Sequence, residues 1–203
     1  EVVKYLIEEC HANVEAEIDT RCTPLHFASD SGHIEIIKYL IEQCHAYVEA
    51  KNKYGNTPLH FASKKGHIEV IEYLIEQCNA NVEAKNNFRL TPLHIASSNG
   101  QIEVVKYLIE KCHANVETKD KYGRTPLYIA SFNGHIELVK YLNEECNANV
   151  EAKDKYGRAP LHIVSRNGHI ELVKYLIEQC HANVEDKDND GCTPLHIASS
   201  KGH

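Results

Sequence analysis

Apolar residues return along this chain in two alternating helical patterns, and one cycle shows both. Leu59, Phe61 and Ala62 form the apolar side of a short helix that opens at Pro58. Ile68, Val70, Ile71, Leu74 and Ile75 then give the broad stripe of a helix buried on one side, with Glu69, Glu72 and Glu76 on the other. Thr57 reads as an N-cap whose hydroxyl accepts a backbone N–H, and Pro58 takes the first helical position, where its missing N–H is not needed. Gly66 ends the first helix as a residue that tolerates positive φ. After Cys78-Asn79 the periodicity stops, and residues 80–90 read as an extended, turn-rich connection. Each unit is therefore a helix, a tight turn, a second helix and a loop.

The unit repeats. Prolines stand at 24, 58, 92, 126, 160 and 194, a constant step of 34 residues, and there are no others. The ten glycines occupy two repeat positions, 32, 66, 100, 134, 168 and 202, and 55, 123, 157 and 191. A unit this short cannot bury a core alone and must stack on its neighbours. The period divides residues 1–203 as one array: a partial repeat over 1–18, full repeats over 19–52, 53–86, 87–120, 121–154 and 155–188, and a partial repeat over 189–203. Residue 1 enters a second helix and residue 203 follows a first helix, neither with a polar capping unit. The expectation is an excerpt of a longer array.

Motif chemistry separates two repeat families of similar length. The tetratricopeptide repeat shares the 34-residue period, but Thr23-Pro24-Leu25-His26-Phe27-Ala28, residues 57–62, Thr91-Pro92-Leu93-His94-Ile95-Ala96 and residues 193–198 match a T-P-L-H-x-A signature in full. With the Gly-His pairs at 32, 66, 134 and 168, these residues make the chain resemble the ankyrin repeat family over essentially its whole length. The resemblance implies an all-α fold, an ankyrin-repeat solenoid of stacked helix-turn-helix units with projecting β-turn loops. It also implies inter-loop hydrogen bonding by the motif histidines, a pattern that Tyr128 interrupts.

The departures carry their own expectations. Where the family closes its second helix with one Gly, this chain has Cys-His at 10, 44, 112 and 180 and Cys-Asn at 78 and 146. The second member of each pair is expected to cap the helix in a left-handed conformation. Arg21 and Arg89 replace the loop-tip glycine, which predicts altered or strained tips. Ala159 lacks the capping hydroxyl, a loss of about 1 kcal/mol, and Asn143 takes a position otherwise held by isoleucine. With Val164 at a position otherwise held by alanine, these predict a weak point around the fifth repeat. The tyrosines at 5, 39, 73, 107, 141 and 175 recur in every unit and read as packing residues.

Composition narrows the function. The net charge of -7 argues against indiscriminate binding to nucleic acid or anionic membrane. No apolar run approaches the roughly 20 residues that span a bilayer. Equivalent cysteines in stacked helices lie about 8–10 Å apart, too far for a ladder of disulfides, which predicts reduced thiols and an intracellular, cytoplasmic protein. All fourteen histidines fall at repeat positions, so they read as structural. The Cys-His pairs diverge where zinc needs convergent ligands. No nucleotide-binding, metalloprotease or hydrolase motif appears. The expectation is a monomer with no catalytic residue, no metal and no cofactor.

The residues that vary between units remain. The resemblance implies that partners bind at loop tips and on the exposed side of the first helices. There the chain carries Lys53, Tyr54, Lys64, Lys65, Phe88, Arg89, Lys121, Tyr122, Arg124, Phe132, Lys155, Tyr156, Arg158 and Arg166. Aromatics with arginine are what interface hot spots favour. The leading reading is a protein-binding scaffold whose partner is an acidic or extended protein segment, with no small-molecule substrate. Its alternatives are an interaction arm of a larger enzyme or channel, nucleic-acid binding by the same stripe, and a passive spacer whose loop tips are default sequence.

Overall fold

Proline opens each first helix in the structure, a computed structural model that describes residues 1–203. The helices are α1 (Val2–Glu8), α2 (Pro24–Ser31), α3 (Ile34–Lys38, continued by a π-helical turn, Tyr39–Gln43), α4 (Pro58–Lys65), α5 (Ile68–Glu72, continued by a π-helical turn, Tyr73–Gln77) and α6 (Pro92–Ser98). They continue with α7 (Ile102–Glu110), α8 (Pro126–Phe132), α9 (Ile136–Glu144), α10 (Pro160–Asn167), α11 (Ile170–Glu178) and α12 (Pro194–Lys201). There is no strand, and no helix is long and apolar enough to cross a membrane.

The chain forms two compact units, Glu1–Ala96 and Ser97–His203. In the first, α2 packs on α4 and on α3, and α4 packs on α5. Leu25, Ile37, Leu40, Leu59, Ile71 and Leu74 are fully enclosed there. In the second, α8 packs on α9 and α10, and α10 on α11 and α12. Its core is built from Leu108, Leu127, Leu138, Leu142 and their neighbours. Ala62, Ala96 and Ala130 have no exposed surface, as small residues at close helix contacts should.

The motif histidine joins two loops. Its Nδ1 accepts the N–H of its own N-cap threonine, at 3.1 Å for His26 and 3.2 Å for His60. The threonine Oγ1 lies 2.9 Å from the same nitrogen. Since a backbone N–H only donates, Nδ1 carries no proton, and Nε2–H donates to a carbonyl of the next loop: Asn56 for His26, Leu90 for His60 and Asp186 for His162. The neutral tautomer is therefore built in. Burial holds His26 below its ordinary pKa and, outweighing the Leu90 carbonyl, lowers His60 to about 4. Ala159 still donates its backbone N–H to His162 Nδ1 at 3.2 Å, so only the hydroxyl is missing.

The glycine before the second helix has two reasons to be glycine. Gly32 adopts φ +73°, and a Cβ there would come within 2.7 Å of the His67 ring from the following repeat. That ring donates Nε2–H to the Asp30 carbonyl at 2.9 Å. In the second unit His135 and His169 reach the carbonyls of Ser98 and Phe132 in the same way. All six Cys-His and Cys-Asn pairs place their second member at φ between 52° and 57°, the left-handed cap their sequence predicts.

The second-helix tyrosines do more than pack. Tyr39 donates its hydroxyl to Glu8 of the preceding repeat, Tyr73 to Glu42, Tyr141 to Glu110 and Tyr175 to Glu144, each at 2.9 Å. Asn143 enters this ladder by donating to the Tyr175 hydroxyl at 3.1 Å. It is half-buried with a partner, so the amide is accommodated.

These histidines and caps can be tested in three ways. The unfolded chain takes up protons on His60 near pH 6.5 and the folded chain only near 4, so protons favour unfolding. The stabilisation is complete above pH 6.5 and is lost as pH falls towards 4, a change on the order of 2–3 kcal/mol in urea melts. Nitrogen-15 NMR of His60 at pH 7 should show the Nε2–H tautomer; an Nδ1–H ring would contradict the bridge. Ala159→Thr should raise unfolding stability by about 0.5–1 kcal/mol, and a neutral or negative effect would mean that the cap contributes nothing there.

Candidate functional site

Five of the six loop tips are wound around one Asn or Asp acceptor, buried in all but the last. Asn52 Oδ1 receives the N–H groups of Tyr54 and Asn56, and Asn86 Oδ1 those of Phe88 and Leu90. Asp120, Asp154 and Asp188 hold their tips through the same two bonds. These residues do not stand out in a reading focused on motif and surface, although a polar Asn or Asp recurring every 34 residues was the available signal. The first tip has Ile18 instead, 51% exposed. Arg21 and Arg89 adopt φ 59°, so both tips carry the backbone strain that the missing glycine predicts.

Neighbouring tips are tied within each unit. Lys53 N–H donates to the Thr20 carbonyl, and Asn87 N–H to that of Tyr54. In the second unit Lys155 donates to Tyr122 and Asn189 to Tyr156. A second row of bonds runs below them: Glu15 and Glu49 accept the N–H of Tyr47 and Asn81, and Glu117 and Glu151 those of Asn149 and Asn183. The side chains at the tips are thus displayed from a fixed backbone.

The first unit displays Lys53, Tyr54, Lys64, Lys65, Phe88 and Arg89, all exposed. Lys65 lies 3.7 Å from the Asp30 carboxylate. Phe27 adds an aromatic ring that the sequence reading left out of the surface, 54% exposed. Between these groups lies a cavity of about 320 Å³ bordered by Cys22, Asn56, Tyr54, Phe61, Lys64 and Ile95.

The second unit displays Lys121, Phe132, Lys155, Tyr156 and Arg166, with Tyr122, Arg124 and Arg158 half-buried. Arg124 and Arg158 turn inward: each pairs with a carboxylate oxygen of Asp120 or Asp154, at 2.6 and 2.7 Å, and each acid side chain is fully enclosed. The same guanidinium groups lie over the rings of Tyr122 and Tyr156, 4.9 and 4.6 Å from the centroids. Lys155 sits between those two rings, 4.5 Å from one and 4.9 Å from the other. Such cation–π contacts hold the rings in place.

Tyr128 replaces the motif histidine by another route. Its hydroxyl donates to Asp154 Oδ2 at 2.8 Å, beside the Arg158 guanidinium. Burial, joined by that carboxylate, pushes the Tyr128 phenol up. Burial alone would raise Asp154, but the bonds from Arg158, from Tyr128 and from the tip backbone overcome it and hold the carboxyl below its usual range. The inter-loop joint survives the exchange.

Burial pushes the thiols of Cys78, Cys146 and Cys180 up, away from the thiolate. No three His, Cys, Asp or Glu side chains gather where they could hold a metal ion.

A family model described as ankyrin repeats (3 copies) matches residues 1–86, 76–154 and 144–203. A search of curated proteins gave no match.

Asp154→Ala would leave two tip N–H groups, the Tyr128 hydroxyl and the Arg158 guanidinium without their acceptor. The variant should lose about 3 kcal/mol or more in chemical denaturation. A loss below ~1 kcal/mol, the range of an exposed ion pair, would show that the Asp154 network is not structural.

Proposed function

The chain belongs to the ankyrin repeat family, whose repeats are generally protein–protein interaction modules, and we propose that it is a non-catalytic scaffold binding an acidic, extended protein segment. The binding groups are those at the loop tips and on the exposed side of the first helices. The observation that carries this reading is the set of exposed or half-exposed aromatic rings, Tyr54, Phe88, Tyr122 and Tyr156, accompanied by lysine and arginine on a backbone whose tips are tied within each unit. The rings offer large contact area with little rotamer entropy to lose, and the cations favour carboxylates. The chain as a whole is acidic, at -7, so the basic character is local.

Partner binding by this surface requires neither metal nor cofactor. The thiols suit a reducing, intracellular compartment, and the scaffold reading holds equally for a monomer and for an interaction arm of a larger enzyme or channel.

The test compares the chain with a variant carrying Tyr54, Phe88, Tyr122 and Tyr156 all changed to Ala, after circular dichroism shows both folded. Pull-downs from lysate at moderate salt should retain a defined protein with the parent and lose it with the variant. Equal retention by both would remove the tips as the binding surface. Retention of nucleic acid with a steep salt dependence would replace the protein partner by a polyanion.

A further inference from the structure

The two units treat the same surface position differently. In the second unit the residue two places after the tip aromatic is arginine. Arg124 and Arg158 each reach back to a buried aspartate and lie across the tyrosine face. The first-helix residues Ile129 and Ile163 are only 5% and 2% exposed there. In the first unit the corresponding tip residues are Cys22, Asn56 and Leu90, none of which carries a guanidinium to form that lid. Asn52 stands where the lid's aspartate would be. The result is the cavity of about 320 Å³ between Tyr54, Phe61 and Ile95.

Its walls specify an occupant. Phe61 is held in position by an edge-to-face contact with the His26 ring, centroids 5.3 Å apart at 77°. Tyr54 is fixed by its tip backbone, through bonds at its own N–H and carbonyl. The other apolar wall is Ile95. No carboxylate borders the cavity, and its one charged side chain is Lys64. The space lies at the small end of ligand pockets, suited to one large side chain and not to a cofactor.

We propose that this pocket receives a single aromatic side chain of the partner, with an adjacent carboxylate of the same segment meeting Lys64. The proposal rests on the acidic-segment reading above and makes it specific. An aromatic ring would stack edge-to-face on Phe61, and the carboxylate fixes the direction in which the segment crosses the tips. In the second unit the arginine lids and the enclosed Ile129 and Ile163 leave no equivalent opening at Tyr122 or Tyr156.

The test uses the full chain and two fluorescein-labelled acidic peptides, alike except for a central phenylalanine or alanine. Anisotropy at low salt should show the phenylalanine peptide binding about ten-fold tighter or more, the range expected for burying one such side chain. Its addition should shift the Ile95 methyl signals, which the alanine peptide should leave in place. The pair Asn52→Asp and Asn56→Arg copies the lid that the second unit already folds with. It should bring the phenylalanine peptide down to the alanine peptide's affinity without lowering the melting temperature. Phe61→Ile, the residue found at the same position elsewhere in the chain, should weaken the phenylalanine peptide several-fold. Equal affinity of the two peptides for the parent, or unchanged preference in the lid variant, overturns the pocket while leaving the acidic-segment reading intact. No binding of either peptide overturns both.

Discussion

Everything in this protein hangs on the joint between one loop and the next. A repeat of 34 residues has too little interior to hold itself, so whatever ties it to its neighbour also folds it. The histidine bridge does this with one ring, capping its own helix through Nδ1 and reaching the neighbour's carbonyl through Nε2. Burial of the ring strengthens both bonds and disfavours the charged form, so the joint is made by a neutral imidazole. The Tyr–Glu ladder and the tip-to-tip bonds repeat the same principle at two other heights of the unit. Packing of leucine and isoleucine supplies the driving force, while these polar joints set the register.

What was legible in the sequence was local. Proline and glycine mark helix ends because their own backbones demand it. The left-handed His and Asn after the six cysteines that close the second helices could be foreseen for the same reason, as could the strained Arg21 and Arg89. What escaped sequence reading joins residues about one repeat apart or depends on how deeply a residue is enclosed. Tyr73 looks like packing until Glu42 is seen beside its hydroxyl, and Gly32 looks like a helix stop until the His67 ring is seen against it. Arg124 and Arg158 read as exposed cations because nothing in their immediate neighbourhood reveals that Asp120 and Asp154 are enclosed below them. The surface composition was readable; the division between closed and open tips was not.

That division follows from a few coupled positions. Arginine above an aspartate closes a tip, and a short side chain above Asn52 leaves one open. Tyr128 belongs to the same logic, since it replaces a histidine only because Asp154 lies in reach to accept its hydroxyl. The repeats are nearly alike in the residues that join them, and their differences are concentrated where the joints leave freedom.

The contact between Gly32 and the His67 ring bears on how such a chain can change its length. The two partners lie one period plus one residue apart, and the ring occupies the volume that any side chain at the glycine would need. A deletion or insertion of a few residues between them would separate the ring from its socket and put a wrong residue at the Asp30 carbonyl. Removal or duplication of a whole period returns the equivalent residue, a histidine in every repeat except at Gln101, to the same socket, wherever in the unit the break falls. Growth and loss in this architecture are therefore quantised in entire repeats.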